Sequence, residues 1–208
     1  MKAIKDFVQD LQLIKSTKLF ANPYQDPVLA NNLYLYLMAM KREKPSLLLV
    51  GEAPGYKGCK LTGIPFSSGM IYQDHERFDH PFLKKLSKKI EISEIDSENS
   101  ATMVWEYLSE KNITPIFWNS FPFHPHLANN ELSNRAPTAK EVTFGIEYLQ
   151  RIRKIYKPVV IAGVGGKGTT CARKAFPNDD IVTIRHPSFG GKRDFIKGMN
   201  SILNKLDS

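Results

Sequence analysis

Four polar side chains stand directly after short apolar runs, and together they suit a small, flat, hydrogen-bonding ligand. Glu52 follows Leu47-Leu48-Leu49-Val50-Gly51, and Asn119 closes Ile116-Phe117-Trp118. Lys167 sits in Gly165-Gly166-Lys167-Gly168 after Pro158-Val159-Val160-Ile161-Ala162-Gly163, and His186 follows Ile181-Val182-Thr183-Ile184. Apolar runs this short and this rich in β-branched residues suit strands buried on both faces. The Gly51-Glu52-Ala53-Pro54-Gly55 segment cannot extend its strand, so the chain turns there. In an open α/β sheet, ligands bind outside the carboxyl ends of the strands. In a parallel sheet all four loops emerge on one edge. A carboxylate, an amide, an imidazole and the ring of Phe66 could then surround one ligand.

Each group also has a plainer reading. Glu52 could be a surface carboxylate or a helix-capping partner, Asn119 could satisfy turn backbone, and His186 before Pro187-Ser188 could be a turn residue. Gly163-x-Gly165-Gly166-x-Gly168 suggests phosphate cradling on a helix N-terminus, yet it lacks full P-loop spacing. His124-Pro125-His126 offers two imidazoles with no third ligand indicated, so no metal is expected.

The elements that must position these groups follow from periodicity. Apolar residues at 4, 7, 8, 11, 14, 19 and 20 predict an N-terminal amphipathic helix over 4–20. Pro27 opens a second helix running to about Arg42. Further helices are expected over 81–90 and 101–111, with a polar stretch at 93–100 between them. Pro115 delays the second strand to Ile116. Residues 127–137, rich in Asn, Ser and Pro, read as a surface loop. Thr138 is a good N-cap with Glu141 as its capping-box partner, for a helix over 139–156. Helices over 169–176 and 194–206 complete the alternation. Strands separated by long crossovers predict an α/β fold, a three-layer α/β/α sandwich around a four-stranded, mainly parallel sheet.

With 208 residues the chain fits one domain, residues 1–208, with the N-terminal helices of residues 1–42 packed on it. No apolar run approaches the ~20 residues of a membrane span, and the N-terminal segment lacks the apolar core of a signal peptide, which points to a cytoplasmic protein. Cys59 and Cys171 are the only cysteines, too few for a disulfide framework or a four-cysteine cluster. A net charge of +8 favours contact with a polyanion, although basic charge also serves solubility alone.

Gly51-Glu52-Ala53-Pro54-Gly55, then Gly63-Ile64-Pro65-Phe66, then a strand ending at Asn119, then His186-Pro187-Ser188, in that order, resemble the uracil-DNA glycosylase superfamily. The opening motif is most similar to its iron-sulfur branch, family 4. By resemblance, Phe66 stacks on the base, Asn119 hydrogen-bonds its Watson–Crick edge, and Gly51 and Ala53 complete the base pocket. His186 faces the carbonyl oxygen where charge develops, and Glu52 orients water or offsets the sugar cation. Ser188 and the amides of Gly165, Gly166 and Lys167 hold phosphates, and Phe189 fills the vacated stack. Pro54, Gly55, Ser67, Pro187, Lys192 and Arg193 join them as DNA-contacting positions.

The departures are specific. Four cysteines for a cluster are not present, so no iron-sulfur cluster, and no other cofactor, is expected. Ala53 stands where some branches place an aspartate, and Phe121-Pro122-Phe123-His124 differs from the loops of other branches. The resemblance implies a monomer that excises uracil or a related deaminated base from single-stranded or mispaired DNA. The alternatives are a catalytically weak or inactive nucleic-acid-binding protein on the same fold, and a small-molecule α/β enzyme that binds a phosphorylated ligand through the glycine turn.

Overall fold

The computed structural model describes residues 1–206. The first helix, α1 (Lys2–Leu13), buries Ile4, Phe7, Val8 and Leu11 along one stripe. It ends seven residues earlier than the apolar period predicts, because polar side chains outcompete the helix for backbone groups. Asn22 Nδ2 donates to the Leu11 and Ile14 carbonyls, both at 2.7 Å. Thr17 Oγ1 accepts from the Leu19 and Phe20 amides. Phe20, counted as helical by its spacing, instead lies in a two-residue strand, β1 (Phe20–Ala21). Asp26 then caps α2 (Pro27–Glu43), accepting from the Val28 amide at 2.7 Å, with Pro27 in the first turn.

The central strand, β2 (Leu47–Gly51), is buried at every position. After it come four helices: α3 (Cys59–Thr62), α4 (Gly69–Gln73), α5 (Pro81–Ser87) and α6 (Asn99–Lys111). The first two are too short for a helical period to show in the sequence. The last, α6, starts two residues before its first apolar residue, because the Glu98 carboxylate accepts from the Ser100 and Ala101 amides. Next are β3 (Ile116–Asn119), β4 (His124–Pro125) and α7 (Ala139–Tyr156), the last opened by the expected Thr138–Glu141 capping box. The chain ends with β5 (Val160–Val164), α8 (Gly165–Ala175), β6 (Ile181–Ile184) and α9 (Lys192–Leu206).

The main sheet has the order β3-β2-β5-β6 and all its pairs are parallel. A separate two-stranded antiparallel sheet pairs β1 with β4, which the sequence did not announce. Two-residue strands are below the length at which alternation can be read.

Alternation along β3 shows why both faces of the main sheet carry helices. Phe117 lies 5.8 Å from Trp105 of α6, while Trp118 points the other way and meets Phe7 of α1 edge-on at 5.0 Å. Phe7 also packs edge-on against Tyr148 of α7. Each face thus buries a wide aromatic contact, and each full burial of this kind is worth about 1.5–3 kcal/mol. The chain runs from β2 outward to β3, then back past β2 to β5. This change of direction places a topological switch point between the carboxyl ends of β2 and β5, where a crevice opens.

Candidate active site

That crevice is a cleft of about 610 Å³, lined by the segments that leave β2, β3, β5 and β6. Its geometry starts from Gly51, which pairs in register with Asn119 on the neighbouring strand. A Cβ on Gly51 would lie 2.5 Å from Phe66 Cε2 and 2.6 Å from Asn119 Oδ1. The absence of a side chain is what lets an aromatic ring and a carboxamide converge on one backbone atom.

Phe66 is held tightly. Its ring stacks on Phe117 with centroids 4.8 Å apart and planes 22° from parallel. Its carbonyl accepts from Trp105 Nε1 at 2.8 Å. The residue takes a left-handed φ of 53°, a conformation that costs a non-glycine residue about 1–3 kcal/mol and survives only where surrounding contacts over-determine it. Beside it, Ser67 Oγ donates to the Ile64 carbonyl at 2.8 Å and meets Thr62 Oγ1 at 2.7 Å. That hydroxyl is spent on the loop, not presented to a phosphate.

Asn119 is only 5% exposed, and its side-chain amide has no hydrogen-bond partner among the described residues. The amide lines the open cleft, so its donor and its acceptor are both available to a ligand there. The backbone that follows is firmly placed: Ser120 donates both its amide and its Oγ to the Gly51 carbonyl, and the Phe121 amide donates to the Glu52 carbonyl.

His186 lies across the cleft. The Ser188 amide points at Nδ1 from 3.3 Å, and an amide can only donate, so Nδ1 carries the lone pair. The Ser188 hydroxyl, 2.7 Å from the same nitrogen, donates as well. The ring hydrogen is therefore on Nε2, which has no partner among the described residues. Burial holds the ring below the usual histidine range, Glu98 and Glu52 pull the other way, and Arg185 adds to the lowering. His186 can approach the start of α8 because Gly165, at φ 73°, has no Cβ; one would sit 3.2 Å from His186 Cβ.

The glycine run after β5 is the first turn of α8 and not a separate loop. Gly166 faces open space, but two other glycines of the run serve close packing: a Cβ on Gly163 would collide with Thr169, and one on Gly168 with the Val50 carbonyl. This contact seats the helix N-terminus on the end of β2. It brings Lys167 Nζ to 2.9 Å from Glu52 Oε1, with side chains 63% and 33% exposed. The free amides of Gly165, Gly166 and Lys167 begin an eleven-residue helix at the cleft, a site favourable to negative charge.

Ala53, Pro54 and Gly55 also line the cleft, as does Phe189. Phe189 is 97% exposed, with φ 52°, and is followed by Gly190 at φ 76°. A large apolar ring is thus held out in water by two consecutive left-handed residues. Pro187 is buried outside the cleft, and Arg193 is exposed outside it. Lys192 is ion-paired to Glu106 at 2.9 Å, and Glu106 also takes Arg77.

The cleft contains residues that sequence reasoning missed. Glu98 joins it from the N-cap of α6, and Asn134, Arg135 and Ala136 join it from the loop expected to be surface. Arg135 is locked by a bidentate pair with Glu141, Nη1–Oε2 2.8 Å and Nη2–Oε1 2.6 Å, and by donation to the Leu19 carbonyl. The capping box at Thr138 was the one available signal, since the Glu141 that caps α7 also anchors the arginine. Cys59 touches the cleft from below; burial pushes its thiol up to about 12. Among the described residues, no group of three or more His, Cys, Asp or Glu side chains could hold a metal ion. No helix of those residues is long and apolar enough to cross a membrane.

The switch-point cleft of this parallel sheet thus brings together an aromatic ring, an unpaired amide and a neutral imidazole. The chain belongs to the uracil DNA glycosylase superfamily, whose family model matches residues 40–205. Its fold is similar to that of the crystal structure of wild-type SMUG2 from Pedobacter heparinus, with a TM-score of 0.68 and 16% sequence identity over 99% of this chain and 98% of that one. No curated protein sequence matches the chain at a significant level.

Proposed function

We propose that this protein is a DNA N-glycosylase that hydrolyses the bond between deoxyribose and uracil or a related deaminated base. The observation that carries the reading is the convergence of Phe66 and the unpaired Asn119 amide on Gly51, with the neutral His186 ring in the same cleft. An extruded base would lie flat on Phe66. The Asn119 carbonyl oxygen would accept from the base N3–H, and its NH₂ would donate to O4. His186 Nε2–H would donate to O2.

As the C1′–N1 bond breaks, its electron pair passes to the base and negative charge grows on O2, where an N–H in a water-poor cleft stabilises it. Glu52 faces the developing sugar cation and orients the water that adds to C1′. The proton that water loses returns to the base anion, leaving a neutral free base and an abasic sugar. The α8 N-terminus and Lys167 would hold the flanking phosphates, and Phe189 would fill the gap left in the stack. The partner is single-stranded or mispaired DNA, and the protein acts as a cytoplasmic monomer.

A second reading, a binding protein with little turnover, draws on Glu52 being tied to Lys167 and on Ala53 supplying no second carboxylate. One experiment separates them. Oligonucleotides carrying uracil, hypoxanthine or xanthine are incubated with the protein and scored for alkali-labile abasic sites. Excision of any of these bases supports the first reading; binding with no excision of any overturns it.

A further inference from the structure

His124 is fully buried, and both of its ring nitrogens face backbone carbonyls of cleft-forming segments. Nδ1 lies 2.8 Å from the carbonyl of Pro54, in the loop that carries Glu52. Nε2 lies 3.1 Å from the carbonyl of Glu131, in the loop whose Asn134, Arg135 and Ala136 form the opposite wall. Carbonyl oxygens only accept, and a neutral ring has one hydrogen to give. The shorter contact takes it. The Glu131 carbonyl has another donor in Lys60 Nζ at 3.3 Å, whereas no other donor to the Pro54 carbonyl exists among the described residues. A second hydrogen on the ring is favoured by the two carbonyls but opposed by burial, by the Lys60 cation and by the stacked His126 ring, and burial, the largest of these, keeps the ring below the usual histidine range.

We propose that His124 is a positioning residue for the glycosylase reaction: by donating Nδ1–H to the Pro54 carbonyl it ties the Glu52 loop to β4, the strand that leads directly into the 127–137 wall, and so holds the two sides of the cleft in place. The inference rests on the glycosylase reading for its kinetic consequence only. The backbone of His124 is itself fixed, since β4 pairs with β1 with His124 opposite Ala21. The two loops meet at two further points, Tyr56 N–H on Asn134 Oδ1 at 3.2 Å and Lys60 Nζ by Glu131 Oε2 at 3.4 Å. Both of these are solvent-exposed. His124 supplies the dry contact of the three, and a buried bond is the one whose loss leaves an unsatisfied carbonyl. The next residues back along the chain from Pro54 are Ala53 and Glu52, so a loosened Pro54 peptide leaves Glu52 placed only by the Phe121 amide on its carbonyl and by Lys167 on its carboxylate.

Two variants separate positioning from packing. His124→Asn keeps a donor near the Nδ1 position, and His124→Leu keeps bulk but no donor. In the wild type, nitrogen-15 spectra of the imidazoles should show the His124 hydrogen on Nδ1. Since displacement of a reacting group by about 1 Å costs on the order of 100-fold, His124→Leu should lose about 10–100-fold in kcat with KM changed less than about 3-fold. His124→Asn should return to within about 5-fold of wild type, and amide exchange in residues 52–58 and 127–137 should quicken in the Leu variant alone. A hydrogen on Nε2, full activity in the Leu variant, or equal loss in both variants would overturn the proposal. If the wild type excises no base, the glycosylase reading fails while the spectra and the exchange rates still decide whether the tie exists.

Discussion

Gly51→Ala tests the site at its geometric centre. The new methyl would sit 2.5 Å and 2.6 Å from two carbons of the Phe66 ring and 2.6 Å from Asn119 Oδ1, all inside van der Waals contact. The Phe66 ring is backed by Phe117 at 4.8 Å, and the Asn119 backbone is fixed by its register opposite Gly51, so only its unbonded amide can turn aside. Overpacking of this kind costs about 1–3 kcal/mol, and at about 2–4 °C per kcal/mol for a chain of this size the melting midpoint should fall by roughly 2–12 °C. Relief must come through displacement of the ring or the amide, and about 1 Å of displacement predicts on the order of a 100-fold loss in single-turnover excision. Excision from the uracil oligonucleotide and thermal unfolding are measured on the same preparation. A Gly51→Ala protein that keeps wild-type excision would refute the placement of the base between Phe66 and Asn119. Stability loss without activity loss would do the same.

The other predictions follow from individual contacts. Asn119→Ala should lower the single-turnover rate by about 10–100-fold, since it removes hydrogen bonds worth about 1–3 kcal/mol to the base, whereas Phe189→Ala should act mainly on duplex binding. Equal small losses in both would argue against the assigned roles. His186 acts as the neutral ring and its folded range is lowered by burial, so excision should be sustained at neutral pH and fall on the acid side of about 6.5. Ser188→Ala, which removes a donor to Nδ1, should move that acid limb upward; an unmoved limb contradicts the tautomer.

The same sign governs stability. His80, His124 and His186 are all lowered mainly by burial, so the unfolded chain binds protons more readily than the folded one just below pH 6.5. Stability is therefore full above about pH 6.5 and drops as pH falls through the folded values, which a pH series of urea melts would show. Lys167→Ala breaks an ion pair largely open to solvent, so the melting midpoint should barely change. The salt dependence of DNA binding should weaken by about one unit of slope if Lys167 contacts a phosphate. An unchanged slope would leave Lys167 serving Glu52 alone.

Sequence reasoning worked best where local signals and burial agree. Runs such as Leu47–Val50 and Ile116–Trp118 are apolar on both faces, and only a parallel sheet covered by helices buries them so. Pro27 marked its helix because its fixed φ suits a first turn, and the cap at Thr138 marked the other because a side-chain acceptor at a helix start satisfies amides that have no other partner. Periodicity failed at Phe20, where apolar spacing continued but Asn22 and Thr17 had already taken the backbone groups the helix needed. It could not register the two-residue strands or the short helices after Gly58.

The sequence by itself determined the sheet, the order of the strand-end groups and the kinds of chemistry they bring: Glu52, Phe66, Asn119, Lys167 and His186. These depend on local composition and on the alternation of strand and helix. The contacts these groups make depend on the packed fold. It set Gly165 and Gly168 of the α8 turn to close packing, paired Lys167 with Glu52, placed the Ser188 hydrogen on His186, brought Glu98 and Arg135 into the cleft, and set His124 against the Pro54 carbonyl behind it. Such pairings join residues as far as 115 positions apart, and no local pattern encodes them, because they exist only once the crossovers have stacked the strand ends side by side.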